Sequence, residues 1–310
     1  MTATTGQRPD LHPARHAPPR TRRYDARMPL RISHTRPPLP PLVIRCLGVL
    51  ATLCLACWLG GYALGIDPHA PDWNALSVPP LTHGHWMGTD AIGRDVLART
   101  LAGGRLSLTV GLLSSVIALA IGVGVGAIAG LSGGRVERAL VRMLDVMSAL
   151  PFLLVVILLL TLFERSLTLL LLAIGGYVWL DLARVMRSEA ARLREAPFVL
   201  AAQAAGASFR QRLSWHVVPH LMPLAFVYLG LILPQAILVE SFLGFLGLSV
   251  DEPSASWGTL LSEGVQELDS APWTLLVPAS TLVITLATFQ FLGDGLRDWL
   301  DVRGPQDVAA

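Results

Sequence analysis

At 310 residues the chain is long enough for a sizeable soluble core, yet 53% of it is apolar and only 15% charged, with a mean hydropathy of +0.55. That balance excludes an ordinary soluble domain and reads as an all-α, polytopic membrane protein. A net charge of +2 gives no support to nucleic acid as a partner, and all 24 basic residues are arginine.

Residues 1–40 are rich in Pro, Arg and His with little to bury, so a disordered cytoplasmic tail is expected there. The first apolar run begins too late and is too long for a secretory signal, and Met28 is an alternative start. Six regions meet the roughly 20 apolar residues that a helix needs to cross a bilayer. They run from Leu42 to Leu64, Leu106 to Leu131, Val146 to Phe163, Leu167 to Met186, Val217 to Leu248 and Trp273 to Phe291. Cys46, Cys54 and Cys57 all fall in the first span and read as small packing residues. The second carries Gly111, Gly122, Gly124, Gly126 and Gly130, with GxxxG spacing between Gly122 and Gly126 that lets helices approach closely. The fifth is too long for one straight span, and Pro219, Pro223 and Pro234 predict a bent or partly interfacial helix.

Eight arginines precede the first span, Arg135, Arg138 and Arg142 follow the second, and Arg184, Arg187, Arg192, Arg194, Arg210 and Arg212 surround the fourth connection. The positive-inside rule makes these regions cytoplasmic. The connection from Ser249 to Pro272 holds Asp251, Glu252, Glu263, Glu267 and Asp269 with no basic residue, as an external loop does. Six spans then leave both termini inside.

Between the fourth and fifth spans lies a polar, Ala-rich insert, PFVLAAQAAGASFRQRLSWHVVP, residues 197–219. Pro197 suits a helix's first turn, where its missing N–H needs no partner, and Ala201, Ala202, Ala204 and Ala205 favour continuing the helix. Gly206 can end it with positive φ. Ser208 and Gln211 have capping-box spacing and start a second helix bearing Arg210 and Arg212. The expected object is a tight helix-turn-helix on the cytoplasmic side, either a docking element or a plain connector.

A phosphate-binding P-loop needs a lysine, and there is none. Neither HExxH, GxSxG nor a Cys/His cluster at ligand spacing occurs, so nothing supports an enzyme. Asp181, Glu240 and Arg45 lie near predicted span ends, where the expected role is snorkelling to the interface, with an ion or proton pathway as the alternative. Asp90, Arg94 and Asp95 are expected to pair and fold an external loop.

Four ordered segments carry a family resemblance. The insert, with AAQAAG at 201–206 and a closing His216-Val217-Val218-Pro219, resembles the EAA loop of ABC importer permeases. HWMGTDAIGRDVLARTLAGGRLSL (85–108), VESFLGFLGLSVDEPSASWGTLL (239–261) and FLGDGLRDWLDVR (291–303) resemble its dipeptide, oligopeptide and nickel subfamily; together with RMLDVMSALP (142–151) these cover most of the chain from about residue 85 onward. The resemblance implies a type I permease core over 104–304, after a first span and external loop at 41–103, with a short tail at 305–310. It implies a similar second permease, an extracytoplasmic solute-binding protein and two cytoplasmic ATPase subunits or domains as partners in a bacterial inner membrane. No cofactor belongs to this chain, since ATP and Mg are used by the ATPases.

In that family the EAA loop fits a cleft on the ATPase. Phe198, Leu200, Ala201, Ala204 and Ala205 are the expected docking surface, Gly206 sets the turn, and Ala202, Ala207, Ser208 and Pro219 complete the loop. The family's acidic residue aligns with Leu200, so its polar contact cannot be made here. The segment 249–272, with Trp257 and Trp273, is expected to meet the binding protein or form an outer rim, or simply to mark the interface. Three readings follow: a permease for peptides or a related solute such as chelated nickel, an ion-driven secondary transporter working through Asp181 or Glu240, or a membrane scaffold recruiting a partner through the insert.

Overall fold

The computed structural model describes residues 39–163, 166–249 and 254–301. The expected tails at 1–40 (save its last two residues) and 305–310, and the alternative start at Met28, lie outside them. Among the described residues the chain is helical, with no strand beyond two isolated bridges, Thr82 to His85 and Thr89 to Asp95. The helices are α1 (Pro41–Leu64), α2 (Val96–Ser132), α3 (Gly134–Ala149), α4 (Phe152–Leu162), α5 (Leu167–Arg194), α6 (Pro197–Ala204), α7 (Phe209–Gln211), α8 (Val218–Phe245), α9 (Trp257–Gln266) and α10 (Trp273–Asp301), with a π-helical stretch at Arg212–Val217 between α7 and α8. Five helical stretches are long and apolar enough to cross a bilayer, and the bent pair of α3 and α4 makes six if counted as one.

That bent pair corrects the third predicted span. A straight helix from Val146 to Phe163 does not form, because Pro151 disfavours helical backbone at the residue before it and Leu150 is extended at φ −74°, ψ 132°. The two helices meet at 76°. Amphipathic α3 keeps only Leu144 buried, and the 11 residues of α4 rise about 16 Å, roughly half the hydrocarbon layer.

The fifth span begins earlier than its predicted start at Val217. Helix runs without a break from Phe209 to Phe245, 37 residues, so the short helix begun at Ser208 and the span are one object. Pro219 does not interrupt it because the preceding turns are π-helical. The Val218 N–H reaches back five residues to the Leu213 carbonyl, and this wider winding accommodates a residue without an N–H.

Packing is built around α2, α5 and α8. Along one stripe of α2, glycines bring the α5 backbone close. A Cβ on Gly126 would sit 2.6 Å from the Met186 Cβ and 2.7 Å from the Ala183 carbonyl oxygen, and one on Gly130 would sit 2.4 Å from the Arg187 carbonyl oxygen. The GxxxG signal thus marks a specific crossing, with dispersion contacts in place of the hydrophobic drive that lipid removes. On the other side α1 packs on α10 through Val43, Cys46 and Leu50 against Leu292, and Cys57 joins Trp257 in a second cluster. Cys46 and Cys57 are buried free thiols, as packing residues are.

The connection before α2 folds on itself. Asp90 pairs with Arg94 (2.7 Å) and with Arg99 (2.9 Å), and both arginines reach Glu263 on α9, at 3.2 and 2.5 Å. Asp95 does something different from the expected pairing. It caps α2 by accepting from the Ala98 N–H at 2.8 Å and contacts His85 Nδ1 at 2.8 Å. Trp273 donates from Nε1 to the Thr89 carbonyl at 2.9 Å.

Two further expectations are overturned. Trp257 forms no outer rim: it is fully buried against Gly104 and donates from Nε1 to the Thr100 carbonyl at 3.0 Å. Glu240 does not snorkel, being 0% exposed, because α2 and the segment leading into α9 cover that turn of α8. Its carboxylate accepts from the hydroxyls of Ser107 at 2.7 Å and Ser249 at 3.3 Å, and Ser107 in turn accepts from the Trp257 N–H at 3.1 Å. Arg45 and Asp181 are exposed, the latter paired with Arg184 at 2.9 Å.

Candidate functional site

α5 ends at Arg194, and the chain turns at Glu195 and an extended Ala196 (φ −69°, ψ 141°) before Pro197 opens α6. The eight residues of α6 are too few to be stable alone. One side chain anchors it: Val199 is completely buried, which contributes about 1.5 kcal/mol. The opposite face is open, with Phe198 at 39% and Leu200 at 50% exposure and Ala201, Ala204 and Ala205 also exposed. Ala202 and Ala207 are half-buried.

Gly206 ends the helix at φ +88°. The Gly206 N–H donates to the Gln203 carbonyl and the Ala207 N–H to the Ala202 carbonyl, each at 3.0 Å, the paired bonds of a Schellman motif with glycine in its left-handed position. Two residues on, Ser208 and Gln211 form the expected capping box, each side chain accepting from the other's backbone N–H. The two helices are tied by Arg212, whose Nη1 donates to Gln203 Oε1 at 2.6 Å. Phe198 stacks on His220 with centroids 4.7 Å apart, holding the start of α6 against the start of α8. Exposed Pro219 lies on α8 and outside the turn.

The structure therefore brings Phe198, Leu200, Ala201, Ala204 and Ala205 onto one solvent-facing knob. Sequence reasoning missed Val199, the anchor, and the Gln203 to Arg212 tie. It also missed two exposed aromatics beside the knob, Phe209 at 38% and Trp215 at 72%. Over eight residues no periodicity separates Val199 from its neighbours. Chemically the knob offers apolar area and a few arginines, with the His216 and His220 rings beside Phe198. Among the described residues no three His, Cys, Asp or Glu side chains gather as a metal site would need.

Comparison with known proteins adds an independent line. The family model described as "Binding-protein-dependent transport system inner membrane component" matches residues 122–303, more than half of the chain. The oligopeptide transport system permease protein OppC of Haemophilus influenzae is 46% identical over 233 residues, 75% of each chain. The protein of the same name in Escherichia coli K12 is 41% identical over 274 residues, 88% of this chain and 89% of that one. The dipeptide transport system permease protein DppC of Bacillus subtilis is 38% identical over 242 residues, 77% of this chain and 75% of that one.

Proposed function

This chain belongs to the family of binding-protein-dependent transport system inner membrane components, the ABC importer permeases of the peptide group, and from that premise we propose that it forms half of a membrane pathway for peptides. It is a multi-pass membrane protein and a transport subunit, not an enzyme. In the proposed assembly a second, similar permease supplies the other half, an extracytoplasmic binding protein delivers the solute, and two ATPases supply energy from the cytoplasm. The orientation that goes with this has both termini inside.

The observation that carries the reading is the knob of α6: an apolar face anchored by buried Val199, the Phe198 to His220 stack and the Gln203 to Arg212 bond, and closed by a glycine turn, on a chain without the lysine that a P-loop needs. Such a shape suits an apolar cleft on an ATPase, with Phe198, Leu200, Ala201, Ala204 and Ala205 as the contact. Leu200 gives this contact no carboxylate, so the matching cleft is apolar at that point. ATPase closure would push the knob, and the two permease halves would re-orient between inward and outward states. Chelated nickel is a further cargo compatible with the family resemblance.

The test is reconstitution of this chain with its second permease, ATPases and binding protein in liposomes. Peptide uptake that requires ATP and every partner is expected. Uptake by this chain alone, without ATP, would refute the proposal. One feature favours that second reading, an ion-driven carrier: the fully buried Glu240 carboxyl within α8. A pH gradient that drives uptake in the absence of ATP, and fails to do so with Glu240→Gln, would establish it instead.

A further inference from the structure

In the first third of α2, Arg105 is a partly buried arginine whose guanidinium donates no hydrogen bond among the described residues; Arg212 likewise has a buried Nε without a partner and no ion pair, but its Nη1 donates to Gln203. Arg94, Arg99, Arg184, Arg187 and Arg194 each have a carboxylate within 4 Å. Arg105 makes no ion pair among the described residues, and its Nε is buried without any hydrogen-bond partner. A guanidinium carries five donors and does not lose its proton, so leaving it uncompensated is costly. Thr109, one turn on, donates its hydroxyl to Arg105's own carbonyl at 2.6 Å and makes no hydrogen bond with the guanidinium.

Two cavities open onto this side chain. One of about 270 Å³ is also lined by His69, Thr109 and Ser254, and one of about 240 Å³ by Gly61 and Ile66. A Cβ on Gly61 would come no nearer than 4.0 Å to Arg105 Nη2, so that flank of the guanidinium stays open. Asp67, the acid of the adjoining loop, already accepts from the His69 N–H at 2.9 Å. Each cavity falls just short of the roughly 300 Å³ at which small-molecule pockets begin, which is room for the end of a peptide and not for a whole one.

We propose that Arg105 receives the terminal carboxylate of a peptide as it enters the pathway, making this residue a determinant of cargo specificity. A planar guanidinium matches a carboxylate through two parallel hydrogen bonds, and His69, Thr109 and Ser254 line the space for the adjoining peptide groups. The site lies beside the connection between α1 and α2, which is external in the proposed orientation. This assignment rests on the reading of the chain as a peptide permease. The competing source of an oxyanion at this place is a lipid phosphate.

The experiment uses the complete complex in liposomes with saturating binding protein, and compares a tripeptide bearing a free C-terminus with its C-terminal amide. In the wild type kcat/KM favours the free acid by about tenfold or more over and above the variant, the value of a charge-assisted pair. In Arg105→Gln the ratio collapses toward that of the binding protein alone, and in Arg105→Lys it falls between. An unchanged ratio in Arg105→Gln overturns the proposal; should that variant fail to assemble, an unchanged ratio in Arg105→Lys does so. Thermal stabilisation by phosphatidylglycerol over phosphatidylcholine vesicles that vanishes in Arg105→Gln, with the ratio unaltered, reassigns the site to a lipid headgroup. No ATP-dependent uptake of either peptide by the wild-type complex overturns the functional reading itself, and this inference with it.

Discussion

Gly206 offers a way to break coupling without touching the membrane bundle. Its φ of +88° lies in the left-handed region, and a Cβ built there meets nothing within 4 Å. Any penalty for a side chain is therefore conformational and not steric. For alanine it is about 1–2 kcal/mol, more for a β-branched residue, and least for asparagine, which tolerates this region. The knob has little to set against it, since Val199 contributes only about 1.5 kcal/mol of burial. Gly206→Val therefore favours opening of the turn, with loss of the Gly206 to Gln203 and Ala207 to Ala202 hydrogen bonds. The expected outcome in proteoliposomes is a complex that assembles but transports at least about fivefold less peptide per ATP hydrolysed, following 1–2 kcal/mol of bias. Gly206→Asn keeps wild-type stoichiometry, and Gly206→Ala falls between. If all three transport and hydrolyse as the wild type does, the turn has no part in coupling and the argument fails.

Other predictions concern the frame that holds the knob and the external loop. Gly126→Leu drives a side chain into the Ala183 carbonyl and Met186, and should abolish recovery of folded protein in detergent, whereas Gly124→Leu, where a Cβ meets open space, should not. Trp257→Ala empties a fully buried site and should cost about 3–5 kcal/mol, read as a lowered thermal midpoint of the purified complex. Burial pushes the Glu267 carboxyl above its ordinary value, with Asp90 and Glu263 adding to the effect against the Ala91 N–H bond. Its protonated form is thus favoured by folding, so the stability linked to it rises as pH falls through the raised folded value toward 4.5 and is lost again as pH rises. Glu267→Gln should flatten that part of the pH dependence of thermal stability above pH 4.5, and an identical profile in the variant would count against it.

Local signals were readable in the residues themselves. Pro197, Gly206 and the Ser208 with Gln211 pair each specify backbone geometry within a few positions, and the structure has all three where expected. Pro151 carried the same kind of signal, yet hydropathy taken over a span-length window runs across it, and so the third span was placed over the bend and not beside it. What stayed hidden depends on long-range contacts. Ser107 and Glu240 are 133 positions apart and Arg99 and Glu263 are 164 apart, so neither the enclosure of Glu240 nor the true partner of Arg99 has a sequence signature. Trp257 shows the same limit, because a tryptophan near a span end suits the interface equally well until α2 is seen packed over it.

The two sides of the knob are joined to the bundle in unlike ways. Toward α5 the connection is an extended residue, Ala196. Toward α8 the connection is the Gly206 turn, after which the 37 residues from Phe209 to Phe245 form one unbroken helix of about 55 Å. In the proposed coupling, that helix is the arm on which a displaced knob acts. The far end of that arm is where Glu240 is gripped by serines from α2 and the segment after α8. Those hydroxyls tie that end of the helix to its neighbours, and Pro223 and Pro234, each lacking a backbone donor, lie between this anchor and the knob.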